Sequence, residues 1–444
     1  MMYNIDLLKE NFRKNPFWFR FLNAGWKATY PLGTKLKLDK DDLIRTAKKT
    51  TGLSDFGPDF NDEPLDRLLW SINHEANLHP VGRFITRQRY VSLLSIRLRA
   101  AYYFKKYLQI LEQPLYPAWI IVGLQRTGTT KLQRLLAADP DHRVIPSWEV
   151  INPMPLDLNL YQDQFLTPVF SGARQHSPST VYPKPGDRRI KMANLSVRAV
   201  RLISPGFFAV HPIDALQPEE DILMLDLSFM STTPEAMMPV PTYASWLERS
   251  DQSDAYAYAA KIMKFLQWIH PAKRWVLKTP HHLEFPDLIE KHFGAVHFIW
   301  PHRTIYESVP SYLSMLTYNS LMFCEKVDPG QIARHWVRKI GYMLDKALDY
   351  RLKDGNGNKF TDLWYHDLIS SSLEEMSKIY KLDGGLTPDL IQRFQEHEVS
   401  HPHRKYGTHH YSLADFNLTQ GDIDLHTKRY QDYIAKLYDK HQRP

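Results

Sequence analysis

Apolar residues follow two rhythms along this chain. Leu93, Leu94, Ile96, Leu98 and Tyr102 recur at helical spacing among arginines, which predicts one long helix from Val81 to about Leu111. Pro114 and Pro117 end it. Asp41 to Lys49 and Pro64 to Leu78 read as earlier helices, so residues 1–114 are expected to form a helical N-terminal portion. From 115 onward the rhythm changes. Short apolar runs at Ala118 to Val122, Arg274 to Lys278, Ala295 to Trp300 and Phe360 to Tyr365 read as strands. Helical stretches follow them: Leu132, Leu135 and Leu136 on one face, Leu283 to Phe293, Ile305 to Leu316, and Ser372 to Tyr380. That alternation predicts an α/β class, a P-loop-like parallel sheet with helices on both faces over residues 115–444. Ligands belong at the C-terminal strand ends.

Two stretches break the pattern. Asn152 to Pro241 is rich in proline and is expected to form loops and helices over a ligand pocket. Residues 1 to about 30 are basic and aromatic, with Phe12, Arg13, Lys14, Phe17, Trp18, Phe19, Arg20, Phe21, Trp26 and Lys27. Packing of these aromatics on the main body is the favoured expectation, and membrane contact by an interfacial helix is the alternative.

Composition narrows the class. The chain has 444 residues, 43% apolar and 24% charged, as in an ordinary globular protein. The net charge of +7 is mild for this length; it suits a pocket for a polyanion, and no run of five basic residues points to nucleic acid. Cys324 is the lone cysteine, so no intramolecular disulfide is possible. No stretch reaches the length of a membrane span. Asp6, Lys9 and Glu10 stand where a secretion signal needs apolar residues, and the expected location is the cytoplasm.

The strongest chemical signal is Gly123-Leu124-Gln125-Arg126-Thr127-Gly128-Thr129-Thr130, set between a strand and a helix. Such a turn converges backbone N–H groups on an anion, and the open first turn of the helix adds donors and partial positive charge. The glycines have Walker A spacing, but Thr129 occupies the lysine position and the basic residue is Arg126. A second candidate anion site follows the strand at 295–300. Arg303 stands after it and Ser311 eight residues on, a guanidinium and a hydroxyl suited to clamping phosphate.

In form, Arg126-Thr127-Gly128-Thr129-Thr130 resembles the 5′-phosphosulfate loop of sulfotransferases that use 3′-phosphoadenosine-5′-phosphosulfate (PAPS). Arg303 with Ser311 resembles their 3′-phosphate site, although Thr304-Ile305 replaces the usual Asn-Pro or Asp-Pro. Thr51 to Gly57, Asp139-Pro140 with Trp148-Glu149, and Tyr411 to Phe416 extend the similarity to a group of large bacterial-type sulfotransferases. Gln125 replaces a usual proline and Asn417 a usual glycine. The resemblance implies PAPS as co-substrate, no metal, and a small-molecule hydroxyl acceptor of hydrophobic character, covered by the segment at about 152–241. It also implies a loose match of Arg404-Lys405-Tyr406-Gly407 to a nucleotide-closing loop, with Lys405 as a cofactor contact.

Sulfuryl transfer asks for a base, a cation at the bridging oxygen and fixed donors around the sulfuryl oxygens. Lys278, at a strand end, suits the bridging oxygen. The Lys-x-Pro-x-His-Leu spacing associated with this group places His282 first as base, with His281 adjacent and Glu149 as the carboxylate alternative. His211 and Glu219-Glu220-Asp221 are candidates for the acceptor side. His401, His403, His409 and His410 lack metal-ligand spacing. Competing readings are an ATP-dependent P-loop kinase, which would want the loop lysine and a magnesium carboxylate, and a non-catalytic nucleotide-binding protein.

Overall fold

The computed structural model describes residues 15–33, 36–115, 117–158, 187–400 and 411–441. Its centre is a five-stranded sheet: β1 (Ala118–Ile121), β2 (His142–Arg143), β3 (Arg274–Lys278), β4 (Val296–His302) and β5 (Phe360–Trp364). The strand order is β2-β3-β1-β4-β5, and every pairing is parallel. The alternation of side chains decides which core each residue joins. Ala118, Ile120, Leu277, Phe298 and Trp300 face the larger apolar cluster, which also holds Leu43, Leu65 and Leu94 of the N-terminal helices. Trp119, Ile121, Val276 and Ile299 face the smaller one, closed by Leu132, Leu136, Met376 and Phe394. Helices therefore cover both faces, as the alternating pattern predicts.

β4 runs to His302, two residues beyond the expected strand end, and carries Pro301. Its pairing with β1 ends at Ile121 opposite Ile299, and only β5 continues alongside. The missing N–H of Pro301 thus costs no bond to β1. The expected helix at Leu283 is instead a 3-10 turn, Pro280–Leu283, followed by the helix Pro286–Phe293. Pro286 is tolerated at a helix start but not inside one.

Within 152–241, residues 159–186 lie outside the described residues, and helices Arg188–Ile203 and Pro205–Val210 follow. The helices Pro329–Arg351 and Gln420–His441 were not anticipated; they pack on each other. The helix Phe17–Ala28 alters the expectation for the N-terminal aromatics. Phe19 is buried against His79, whereas Phe17 and Phe21 are 80% and 71% exposed.

Candidate active site

The site lies where β1, β3, β4 and β5 end. After β1 the chain turns at Gly123, where an added Cβ would meet the Pro301 ring at 2.6 Å; only glycine lets loop and β4 approach so closely. Arg126 has φ 68 and Gly128 φ 89. A left-handed arginine is strained, and such strain gathers at functional loops. Thr127 is buried and its hydroxyl donates to the Leu124 carbonyl at 2.7 Å. Its side chain therefore staples the turn, leaving its N–H as its contribution to a ligand. The helix Thr129–Leu136 begins directly afterwards, and its first intrahelical bond, Leu132 N to Gly128 O, leaves the preceding N–H groups open.

Arg126 and the Arg303/Ser311 pair are parts of one cradle. Arg126 Nε donates to Ser311 Oγ at 3.1 Å and Nη1 to Val210 O at 3.4 Å. Arg303 Nη1 donates to the Arg126 carbonyl at 2.8 Å, and its guanidinium lies 4.2 Å from the Tyr365 ring centre. Arg126 is exposed on the cradle surface; desolvation by the protein around it, and then neighbouring Arg303, work against its charge. Among the described residues Arg126 has no carboxylate partner, whereas Arg303 donates to Glu307 at 3.0 Å. Two guanidiniums held together in this way favour an anion. Tyr365 also seals the loop from below, within 3.1 Å of where a Gly128 Cβ would stand.

Across the cradle, β3 delivers Lys278. Its backbone N–H donates to Asp221 Oδ1 at 2.8 Å, and Nζ reaches Glu220 Oε1 at 2.9 Å. Glu220 also accepts from Thr279 at 3.4 Å. His211 is half-buried among Glu219, Glu220, Lys278 and Arg126. Burial pushes it below the usual histidine range; the two carboxylates oppose this, while Lys278 and Arg126 reinforce it. Its ring has no hydrogen-bond partner among the described residues.

The three side chains named as candidate bases from the sequence are engaged elsewhere. His282 is buried with both nitrogens occupied: Nε2 lies 2.6 Å from Asp221 Oδ2 and Nδ1 3.0 Å from Tyr256 OH. Burial alone would raise Asp221, but His282 and the Lys278 N–H hold it below the usual carboxylate range. His282 therefore braces the strand end that carries Lys278. His281 is similarly held, between Thr232 at 3.3 Å and Gln252 at 3.2 Å. Glu149 is 2% exposed and takes both oxygens to Arg143 Nη2 at 3.0 Å. Arg143 in turn donates to the Leu266 and His270 carbonyls at 2.6 Å. That network ties β2 to the helix Ser253–Ile269 and engages both oxygens of Glu149 with Arg143.

Residues 117–384, more than half of the chain, match the family described as the sulfotransferase family. The chain belongs to that family. The sulfotransferase is similar in structure to sulfotransferase STF1 from Mycobacterium tuberculosis H37Rv, with 26% identity, 88% of this chain and 99% of that one covered, and a TM-score of 0.71. It shares its fold with sulfotransferase STF9 from Mycobacterium avium, with 23% identity, 89% and 96% coverage and a TM-score of 0.75. No curated protein gives a significant match. No helix among the described residues is long and apolar enough to cross a membrane.

Of the residues singled out in the sequence, Arg126, Gly128, Thr129, Thr130, Arg303 and Ser311 come together beyond the ends of β1 and β4 in the sulfotransferase, with Lys278 at the end of neighbouring β3. Lys405 and the histidines at 401, 403, 409 and 410 lie outside the described residues. Asn417, in place of the usual glycine, adopts φ 56 and ψ 40, the left-handed conformation that asparagine tolerates best after glycine. Tyr365 was missed. Its signal was position alone, since it follows β5 at the end of the sheet where ligands bind.

Proposed function

We propose that this sulfotransferase uses PAPS and passes its sulfuryl group to the hydroxyl of an apolar small molecule. The convergence of Arg126, Ser311 and Arg303 carries this reading, since two guanidiniums and a hydroxyl, of which only Arg303 has a carboxylate partner (Glu307, at 3.0 Å), suit a ligand with phosphates at two positions. When bound, PAPS would supply the activated sulfuryl group and a phosphate leaving group. Arg126 and the open N–H groups at Thr129 and Thr130 would hold the 5′ end, and Arg303 with Ser311 the 3′-phosphate. Tyr365 orients Arg303 by stacking beneath it.

Lys278 would set its ammonium beside the oxygen that gains charge, leaving Glu220 for it. The base we assign is His211 in place of His282. A base needs a free nitrogen within reach of the acceptor proton. Both nitrogens of His282 are engaged, whereas His211 has no hydrogen-bond partner among the described residues, is held toward its neutral form by burial, and lies within the electrostatic reach of Lys278 and Arg126. His282 and Asp221 then act by positioning Lys278, and Glu149 by locking the sheet edge.

The test is calorimetric titration of 3′-phosphoadenosine-5′-phosphate (PAP) and of ATP, each with and without magnesium, followed by mass detection of a sulfuryl group added to hydroxyl acceptors. PAP binding that is independent of magnesium, together with PAPS-dependent mass gain, supports the reading. Preference for magnesium-ATP would favour the kinase alternative.

A further inference from the structure

A second concavity lies away from the cradle. It is a cleft of about 90 Å³ between the helices Thr233–Met237, Pro241–Arg249, Ile305–Leu321 and Pro329–Arg351. Met238, Val240, Ala244, Leu316, Ile332 and Trp336 make it mostly apolar. Ser320, Lys326, Asp328 and Gln331 also line it, and one further polar pair is set into the apolar wall. Glu235, whose side chain is 2% exposed, binds His335 Nε2 through Oε2 at 2.7 Å. Its other oxygen, Oε1, is buried and has no hydrogen-bond partner. His335 Nδ1 likewise has none among the described residues, and the ring is only half-buried. A buried carboxylate with an unmet oxygen is uncommon in a finished core. Here it fixes an imidazole so that the free nitrogen can take a hydrogen bond from a guest.

The cleft is separate from the reaction centre. Both touch the helix Ile305–Leu321, but Ser311 serves the cradle while Leu316 and Ser320 line the cleft. At the helical rise those two stand roughly 7 and 13 Å farther along the axis. Tyr312 fills the space between. It is buried, packs edge-on against Trp336 at 5.2 Å, and feels the carboxylates of both Glu220 and Glu235.

We propose that this cleft is a second ligand site, for a small apolar molecule bearing one hydroxyl, with the body against Leu316, Ile332 and Trp336 and the hydroxyl on His335. The assignment stands independently of how the cradle is read.

Saturation-transfer NMR on the full chain with 4-ethylphenol and with ethylbenzene tests it, since the two probes share a body and differ by the hydroxyl. The phenol should bind about tenfold more tightly, the worth of one hydrogen bond. His335→Ala should bring the phenol down to the level of ethylbenzene. Gln331→Trp, on the exposed rim, should block both probes, with melting curves confirming that each variant folds. Binding of 4-ethylphenol that is unchanged in both variants would place it elsewhere and overturn the proposal. So would absence of saturation transfer in the unaltered protein.

Discussion

Arg126 Nε donates to Ser311 Oγ at 3.1 Å, and this contact joins residues 185 positions apart into one anion cradle. Arg303 completes it by holding the Arg126 carbonyl at 2.8 Å. If Arg303 reads a 3′-phosphate, Arg303→Ala should weaken PAP by about tenfold or more, the loss of a charge-assisted contact. Adenosine 5′-phosphosulfate, which lacks that phosphate, should lose far less. Titration of both nucleotides checks the assignment, and equal losses would move Arg303 out of the 3′-phosphate site.

The two histidine assignments separate by what each variant loses. His211→Ala should fold normally, keep PAP binding and drop kcat by roughly two to four orders of magnitude, the contribution of a positioned base. His282→Ala should lower the melting temperature, because it leaves Oδ2 of buried Asp221 without its partner, while its rate loss arises through a displaced Lys278. Since burial lowers the His211 pKa from the ordinary value, its neutral form dominates at neutral pH. The kcat/KM profile should therefore rise through a pKa below about 6.5 and then stay level to neutrality. A variant pair in which His282→Ala loses the chemical step and His211→Ala does not would restore His282 as the base.

The strands were legible because a parallel sheet buried on both faces leaves short, continuous apolar runs, and β1, β3 and β5 fall on those runs within a residue or two. β2 spans only His142–Arg143, too short for any periodicity. The residues that meet at Arg126, Arg303 and Ser311 were legible because glycine spacing and an arginine after a strand are local signals. The choice of base is less legible. The Lys-x-Pro-x-His-Leu spacing favours His282 over His211, and only the tertiary partners of His282, Asp221 and Tyr256, argue the other way. Glu149 likewise looked available until Arg143 was seen to take both its oxygens. Packing partners, unlike loop chemistry, come from elements far away in the chain.

The Arg143–Glu149 pair makes a structural prediction. Each side chain is no more than 2% exposed, so removing one charge leaves the other buried and unpaired. Glu149→Gln should cost about 3–5 kcal/mol of stability, measured by urea unfolding. The rate per folded molecule should be essentially unchanged at temperatures where the variant is folded. A large fall in kcat with stability intact would return Glu149 to the reaction.

His79 makes acid stability testable at a single residue. It caps the helix Pro80–Lys106, its Nδ1 accepting the Gly82 N–H at 2.8 Å, and burial lowers its pKa to about 4. In the unfolded chain it titrates near 6.5. Between those values the unfolded state binds a proton that the native state does not, so stability is whole above about 6.5 and falls as pH drops toward 4. The slope is one proton, a loss of roughly 2–3 kcal/mol over that window. Asparagine can accept the same N–H without titrating. His79→Asn should therefore keep the helix cap while flattening the decline between pH 6.5 and 4.5, measured as the difference between the unfolding curves of variant and parent at each pH. Carboxylates shared by both proteins cancel in that difference. Parallel curves across the window would mean that His79 takes up its proton equally in both states.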